Sequence, residues 1–139
     1  MNTTSTEEQH PEELETATLA VFEKHGDAFM KGDIDKVMED FDSRSVVITP
    51  DGVFDDLTAI RALYSALLKD FGSVYAGDSS FELDSSHVKG DLLWIQWHGE
   101  TARNRYTFAT DTFLIKDGII LRQTITPVVE SKAKKSGQE

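Results

Sequence analysis

The sequence predicts an α+β domain in which three helices cover one face of a curved, mostly antiparallel sheet. Three observations carry that prediction. Apolar residues recur at helical spacing through the first half of the chain, and everything after Gly72 reads as strands joined by short turns. Helices and strands are also segregated rather than alternating, which argues against a parallel βαβ sheet.

Pro11 suits the first turn of a helix, and Leu14, Ala17, Val21, Phe22, Ala28 and Phe29 then form a stripe of helical period that Gly32 ends. Asp33 is placed to cap a second, short helix with Ile34, Val37, Met38 and Phe41 on its buried side. "SVVITP" is a strand and "PDG" a turn. After Asp55 and Asp56 a third helix turns Leu57, Ile60, Leu63, Tyr64, Leu67, Leu68 and Phe71 inward. Four strands follow, "SSFELDSSHV", "DLLWIQWHGE", "RYTFATDTFLI" and "IILRQTITPVV", joined by "KGD", "ETARN" and "KDG" as a meander. The expected domain covers residues 11–130. Segments 1–10 and 131–139 are polar, without apolar periodicity, and are expected to be disordered ends.

A chain of 139 residues, 39% hydrophobic, is one domain's worth, able to bury roughly two-thirds of its unfolded surface. The formal charge of −11, from 25 acidic against 14 basic residues, opposes binding to nucleic acid or to anionic lipid. There is no cysteine, and every apolar run falls short of the roughly 20 residues of a membrane helix. The first residues lack the basic and apolar segments of a signal peptide, so a soluble, cytoplasmic protein is expected. Its four histidines, His10, His25, His87 and His98, show no paired metal-ligand spacing, and phosphate loops and nucleophile elbows are missing. No metal or cofactor is expected.

Two positions and one strand stand out. Asp111 lies in mid-strand between Thr110 and Thr112, where a carboxylate is disfavoured unless something uses it. His25 sits on the apolar stripe of the first helix, three residues after Phe22 and four before Phe29, and so points inward. On the second long strand Leu93, Ile95 and Trp97 share one face, while Trp94, Gln96 and His98 share the other. Simple hairpin pairing across "GETARN" sets Trp94, Gln96 and His98 beside Ala109 and Asp111, and a one-residue slip reverses this. Because both faces of that strand carry tryptophan and one helical layer covers a single face, the second face is expected to pack on another copy, giving a homodimer.

The segments "KGDIDKVMEDF" at 31–41, "VVITPDG" at 46–52, "TAIRALY" at 58–64 and "TDTFLIKDGIILRQTI" at 110–125 resemble the nuclear transport factor 2-like superfamily. That superfamily includes SnoaL-like polyketide cyclases and ketosteroid isomerases. The resemblance implies a cone of three helices around a strongly bent sheet, often dimeric, with an apolar pocket for a small, largely apolar organic ligand. It sets Asp111 at the isomerases' protonated oxyanion-hole aspartic acid, His25 at their oxyanion tyrosine, and Tyr64 at the tyrosine supporting it. A carboxyl among Phe108, Phe113 and Trp94 is poorly solvated, so its pKa is expected to rise and it can donate to a ligand oxygen. His25 can donate beside it or act as the acid–base group. Trp94, Gln96, His98, Phe113 and Gln123 complete the expected ligand-binding set.

Plainer readings stand beside these. Asp111 can cap a strand bulge or bond Thr110 and Thr112, and His25 can be a core histidine bonded to Tyr64 or to a main-chain carbonyl. The sequence departs from the isomerases at Thr49, where they carry their proton-shuttling aspartate. Asp51 and Asp55, nearby, are turn and cap residues. The expectation is a ligand-binding domain acting as a cofactor-free isomerase, cyclase or hydratase, or else a non-catalytic binding or dimerisation module.

Overall fold

The helices end where local chemistry stops them. In the computed structural model, which describes residues 10–132, α1 spans Pro11–Lys31 and closes at Gly32, a left-handed residue with φ 76° and ψ 28°. A side chain there would be strained, and its Cβ would meet the Gly72 carbonyl oxygen at 2.8 Å. Asp33 accepts from the Lys36 amide and starts α2 (Ile34–Met38). Asp56 accepts from the Ala59 amide at 2.8 Å and starts α3 (Leu57–Phe71), which buries Ile60, Tyr64, Leu68 and Phe71.

Between α2 and α3 lie β1 (Val46–Thr49) and β2 (Gly52–Phe54), paired antiparallel. At three residues β2 is too short for its alternation to register, and the sequence reading passed over it as part of a turn. The long strands are β3 (Ser80–Lys89), β4 (Leu92–Glu100), β5 (Asn104–Lys116) and β6 (Ile119–Ser131). The sheet runs β2-β1-β6-β5-β4-β3 and is antiparallel except for β1 beside β6. The result is an α+β fold with a curved, six-stranded sheet.

Bulges set the faces. Gly99 pairs with Tyr106 but Trp97 pairs with Ala109, so His98 alone faces Thr107 and Phe108. Against β6, Tyr106 pairs with Val129 and Phe108 with Val128, so Thr107 is extra on that side as well. An unpaired residue against both neighbours bends β5 and increases its twist. Gly99 fits beside this bend, since a Cβ there would lie 2.5 Å from the Ser80 carbonyl oxygen.

The inner face packs Leu93, Ile95, Trp97, Ala109, Phe113 and Ile125 against the helices. At one end Phe71 is fully buried among the rings of Phe29, Phe81, Trp97 and Tyr106, with centroids 4.9–6.5 Å away. Burying such a side chain contributes roughly 1.5–3 kcal/mol. Asp70, in the last turn of α3, accepts from Thr101 Oγ1, Asn104 Nδ2 and the Tyr106 hydroxyl, which fastens the β4–β5 hairpin to the helix. Segments 1–9 and 133–139, most of the ends expected to be loose, lie outside the described residues. β6 continues through Ser131, and the Lys132 amide donates to Arg103 O at 2.8 Å.

Candidate functional site

A cavity of about 260 Å³ opens between α1, α3 and the inner face of the sheet. Its wall is mainly Phe, Leu, Ile and Met side chains, with His25, Tyr64, Trp97 and Asp111 supplying polar groups and the ring of Tyr106 completing it. The Tyr106 hydroxyl is turned away onto Asp70 at 2.6 Å, so its ring alone serves as wall.

The remaining polar groups form one buried chain. Helical spacing on α1 turns His25 inward, and its Nδ1 lies 3.0 Å from Asp40 Oδ2. Its Nε2 lies 3.2 Å from the Tyr64 hydroxyl, delivered from α3. That hydroxyl donates to Gln123 Oε1 on β6 at 3.0 Å, and Gln123 Nε2 donates to Asp111 Oδ2 on β5 at 3.2 Å. Trp97 Nε1, on β4, donates to Asp111 Oδ1 at 3.0 Å. Five elements thus meet through six side chains.

The two carboxyls at its ends are driven in opposite directions. Burial pushes Asp111 up to about 6, against the hydrogen bonds from Trp97 and Gln123 and the nearby His25, which favour its charged form. Asp40 is also penalised by burial, but His25 and Lys24 together hold it below the ordinary carboxylate range. Tyr64 is pushed well above the usual phenol by burial and by Asp111, so it stays a neutral hydroxyl.

The cavity brings together four of the expected residues, Asp111, His25, Tyr64 and Phe113. Gln123 is 2% exposed and stands behind the wall, bridging Tyr64 and Asp111 rather than facing the cavity. Trp94, Gln96 and His98 require correction. The bulge at Thr107 supplies the one-residue slip, so Asp111 pairs with Ile95 while Trp94 and Gln96 pair with Thr112 and Thr110 on the outer face. There Trp94 stacks on His87 with centroids 5.7 Å apart. His98 pairs with Asp84 at 2.9 Å, and that hydrogen bond raises its pKa. The indole beside Asp111 is therefore Trp97. Phe108, also expected near Asp111, is 46% exposed. Thr49 lies outside the cavity wall, and its hydroxyl accepts from the Asp51 amide at 3.0 Å.

Sequence reasoning missed Asp40. A signal was present, since Asp40 follows Val37 by three residues, on the side of the expected second helix assigned to the core, and a lone acid on an apolar side needs a partner. Among the described residues, no three His, Asp or Glu side chains gather as a metal site would require.

The chain belongs to the SnoaL-like domain family, whose model matches residues 22–123, and through it to the nuclear transport factor 2-like superfamily. Among solved structures, it is similar to a candidate polyketide cyclase from Sinorhizobium meliloti at 25% identity and TM-score 0.62, covering 76% of this chain and 93% of that one. A candidate SnoaL-like polyketide cyclase from a Jannaschia species shares 12% identity at TM-score 0.66, over 88% and 92% of the two chains. A nuclear transport factor 2-like protein of unknown function from Mesorhizobium loti shares 20% identity at TM-score 0.66, over 86% and 97%. No curated protein gives a significant match. Among the described residues no helix is long and apolar enough to cross a membrane.

Proposed function

We propose that the domain binds a small, largely apolar molecule carrying one carbonyl or hydroxyl oxygen, and that Asp111 hydrogen-bonds or protonates that oxygen. The observation that carries this reading is a buried carboxyl, which burial pushes up to about 6, at a mainly apolar cavity wall. Trp97 and Gln123 each engage one oxygen of Asp111, and a proton on either oxygen can still be directed into the cavity. His25 supplies a second titratable group in the same cavity, and an acid and a base in one site favour an enzyme over a simple binder. The reaction class is a cofactor-free isomerisation, cyclisation or hydration. The likeness to a candidate polyketide cyclase from S. meliloti supports a cyclase in particular. With Thr49 in the isomerases' base position and outside the cavity, a base role falls to His25. A non-catalytic ligand-binding or dimerisation module is the second reading; it is favoured by the hydrogen bonds that already occupy both nitrogens of His25.

A bicyclic ketone and its parent hydrocarbon test the reading. α-Tetralone is expected to bind more tightly than tetralin, and Asp111→Leu is expected to abolish that preference. Titration calorimetry showing equal affinities for both compounds in the native protein would remove the assigned role of Asp111.

A homodimer formed through the outer face of the sheet completes the proposal. Ile48, Leu92, Phe108 and Val128, on that face by their pairing, are 45–51% exposed, an apolar surface that a second copy would cover. Light scattering is expected to return twice the 15.5 kDa chain mass, and a monomer mass at micromolar concentration would contradict it. The absence of cysteine suits a reducing, cytoplasmic setting.

A further inference from the structure

We propose that Gln123 is a positioning residue that couples the protonation of His25 to that of Asp111, its side-chain amide turning over as the proton is held at one end or the other. This rests on the acid–base reading of the cavity and adds to it how the site is reset.

The inference follows from counting hydrogens. Tyr64 has one hydroxyl hydrogen, and it points to Gln123 Oε1. The hydrogen in the contact between Tyr64 and His25 must then come from His25 Nε2. His25 Nδ1 faces Asp40, which its partners keep ionised, so that nitrogen carries a hydrogen as well. In this arrangement the ring is an imidazolium. At the other end Gln123 Nε2 and Trp97 Nε1 both donate to Asp111, a pattern that suits a carboxylate.

Turning the amide over reverses every direction between the two ends. Gln123 Nε2 then donates to the Tyr64 oxygen, the Tyr64 hydrogen swings to His25 Nε2, and Gln123 Oε1 faces Asp111 Oδ2. Two acceptors facing each other there would repel, so Asp111 must carry a proton on Oδ2. Both arrangements hold the same number of hydrogens, since His25 Nε2 gives up one, Asp111 Oδ2 gains one and the Tyr64 hydrogen changes side. The proton lost and the proton gained need not be the same one, because His25 and Asp111 both border the cavity.

In the second arrangement Asp111 holds a proton and the imidazole is neutral, with Asp111, Tyr64 and His25 all at the cavity wall. A reaction that takes the proton of Asp111 and delivers one to the Tyr64 oxygen, whose own hydrogen passes to His25 Nε2, leads to the first arrangement once the amide has turned, and turning it back accompanies recovery of the second. The groups facing these residues are few. Asp40 and Tyr64 face His25, with Lys24 beyond on Asp40, while Trp97 and Gln123 face Asp111.

The test is NMR on the full ligand-free chain, following the His25 ring nitrogens, the Asp111 carboxyl carbon and the Gln123 side-chain amide between about pH 4 and 9. In the native protein the His25 and Asp111 curves are expected to share their inflections, and the Gln123 amide signals to move over the same pH interval. Gln123→Met and Tyr64→Phe, which break the chain but keep the two charges in place, are each expected to lose the shared inflection. Shared inflections that persist unchanged in both variants would reduce the coupling to charge repulsion and overturn the proposal. Native Gln123 amide signals that stay constant while Asp111 titrates would overturn it even if neither variant folds.

Discussion

Asp40→Ala is expected to melt several degrees below the native protein at pH 7, because leaving a buried hydrogen-bonding group without its partner costs on the order of 1–3 kcal/mol. Asp40 is 1% exposed, and its removal leaves the buried His25 Nδ1 without a partner and Lys24 without its closest one. The pH dependence has a definite sign. The folded-state pKa of Asp40 is lowered from 3.8, so its contribution is present above that value and fades as the pH falls through the lower folded-state value. The difference between native and variant melting temperatures should accordingly shrink in acid. A variant that melts within a degree or two of the native protein at pH 7 would mean that the His25 ring is not held by this carboxylate.

Asp111→Asn should move stability the other way. The carboxyl holds its proton more tightly when folded, at about 6 against 3.8. The stability tied to that proton is present below about pH 3.8 and is lost as the pH rises through about 6, a difference of roughly 3 kcal/mol at neutral pH. Asparagine keeps the shape and never ionises, so at pH 7.5 the variant should be at least as stable as the native protein, with the advantage gone at pH 4. It can still donate a hydrogen bond to a ligand oxygen but cannot give up a proton as an acid, so catalysis should fall further than binding. Thermal melts at the two pH values check the first part. A variant melting well below the native protein at pH 7.5 would identify Asp111 as a structural carboxylate instead.

These two acids also mark how far the sequence could be read. Asp111 announced itself because a carboxylate in mid-strand breaks a local pattern, and His25 because it interrupts an apolar stripe. The cap at Asp33, the end of the first helix at Gly32 and the four long strands were legible for the same reason, since each is fixed by its near neighbours in sequence. Trp94, Gln96 and His98 were assigned to the wrong face because facing depends on register, and register here depends on the single residue Thr107 bulging out of β5. Nothing within that strand signals a bulge. Asp40 was hidden differently: it lies in the turn after α2, its partner His25 lies 15 residues earlier on α1, and only the packed fold brings the two within 3.0 Å. Gln123 was placed on the correct face, yet its part as a bridge appears only once Tyr64 and Asp111 flank it.

The most direct measurement is the titration of the Asp111 carboxyl carbon by NMR in the ligand-free protein, with Asp111→Asn supplying the assignment. Burial at the wall of a mainly apolar cavity pushes this carboxyl up to about 6, above the 3.8 of a solvated aspartate, so the expected midpoint lies well above 3.8 and a protonated acid is available close to neutral pH. A midpoint at or below 3.8 would mean that Trp97 and Gln123 hold a permanent carboxylate, and the acid assigned to this site would not exist.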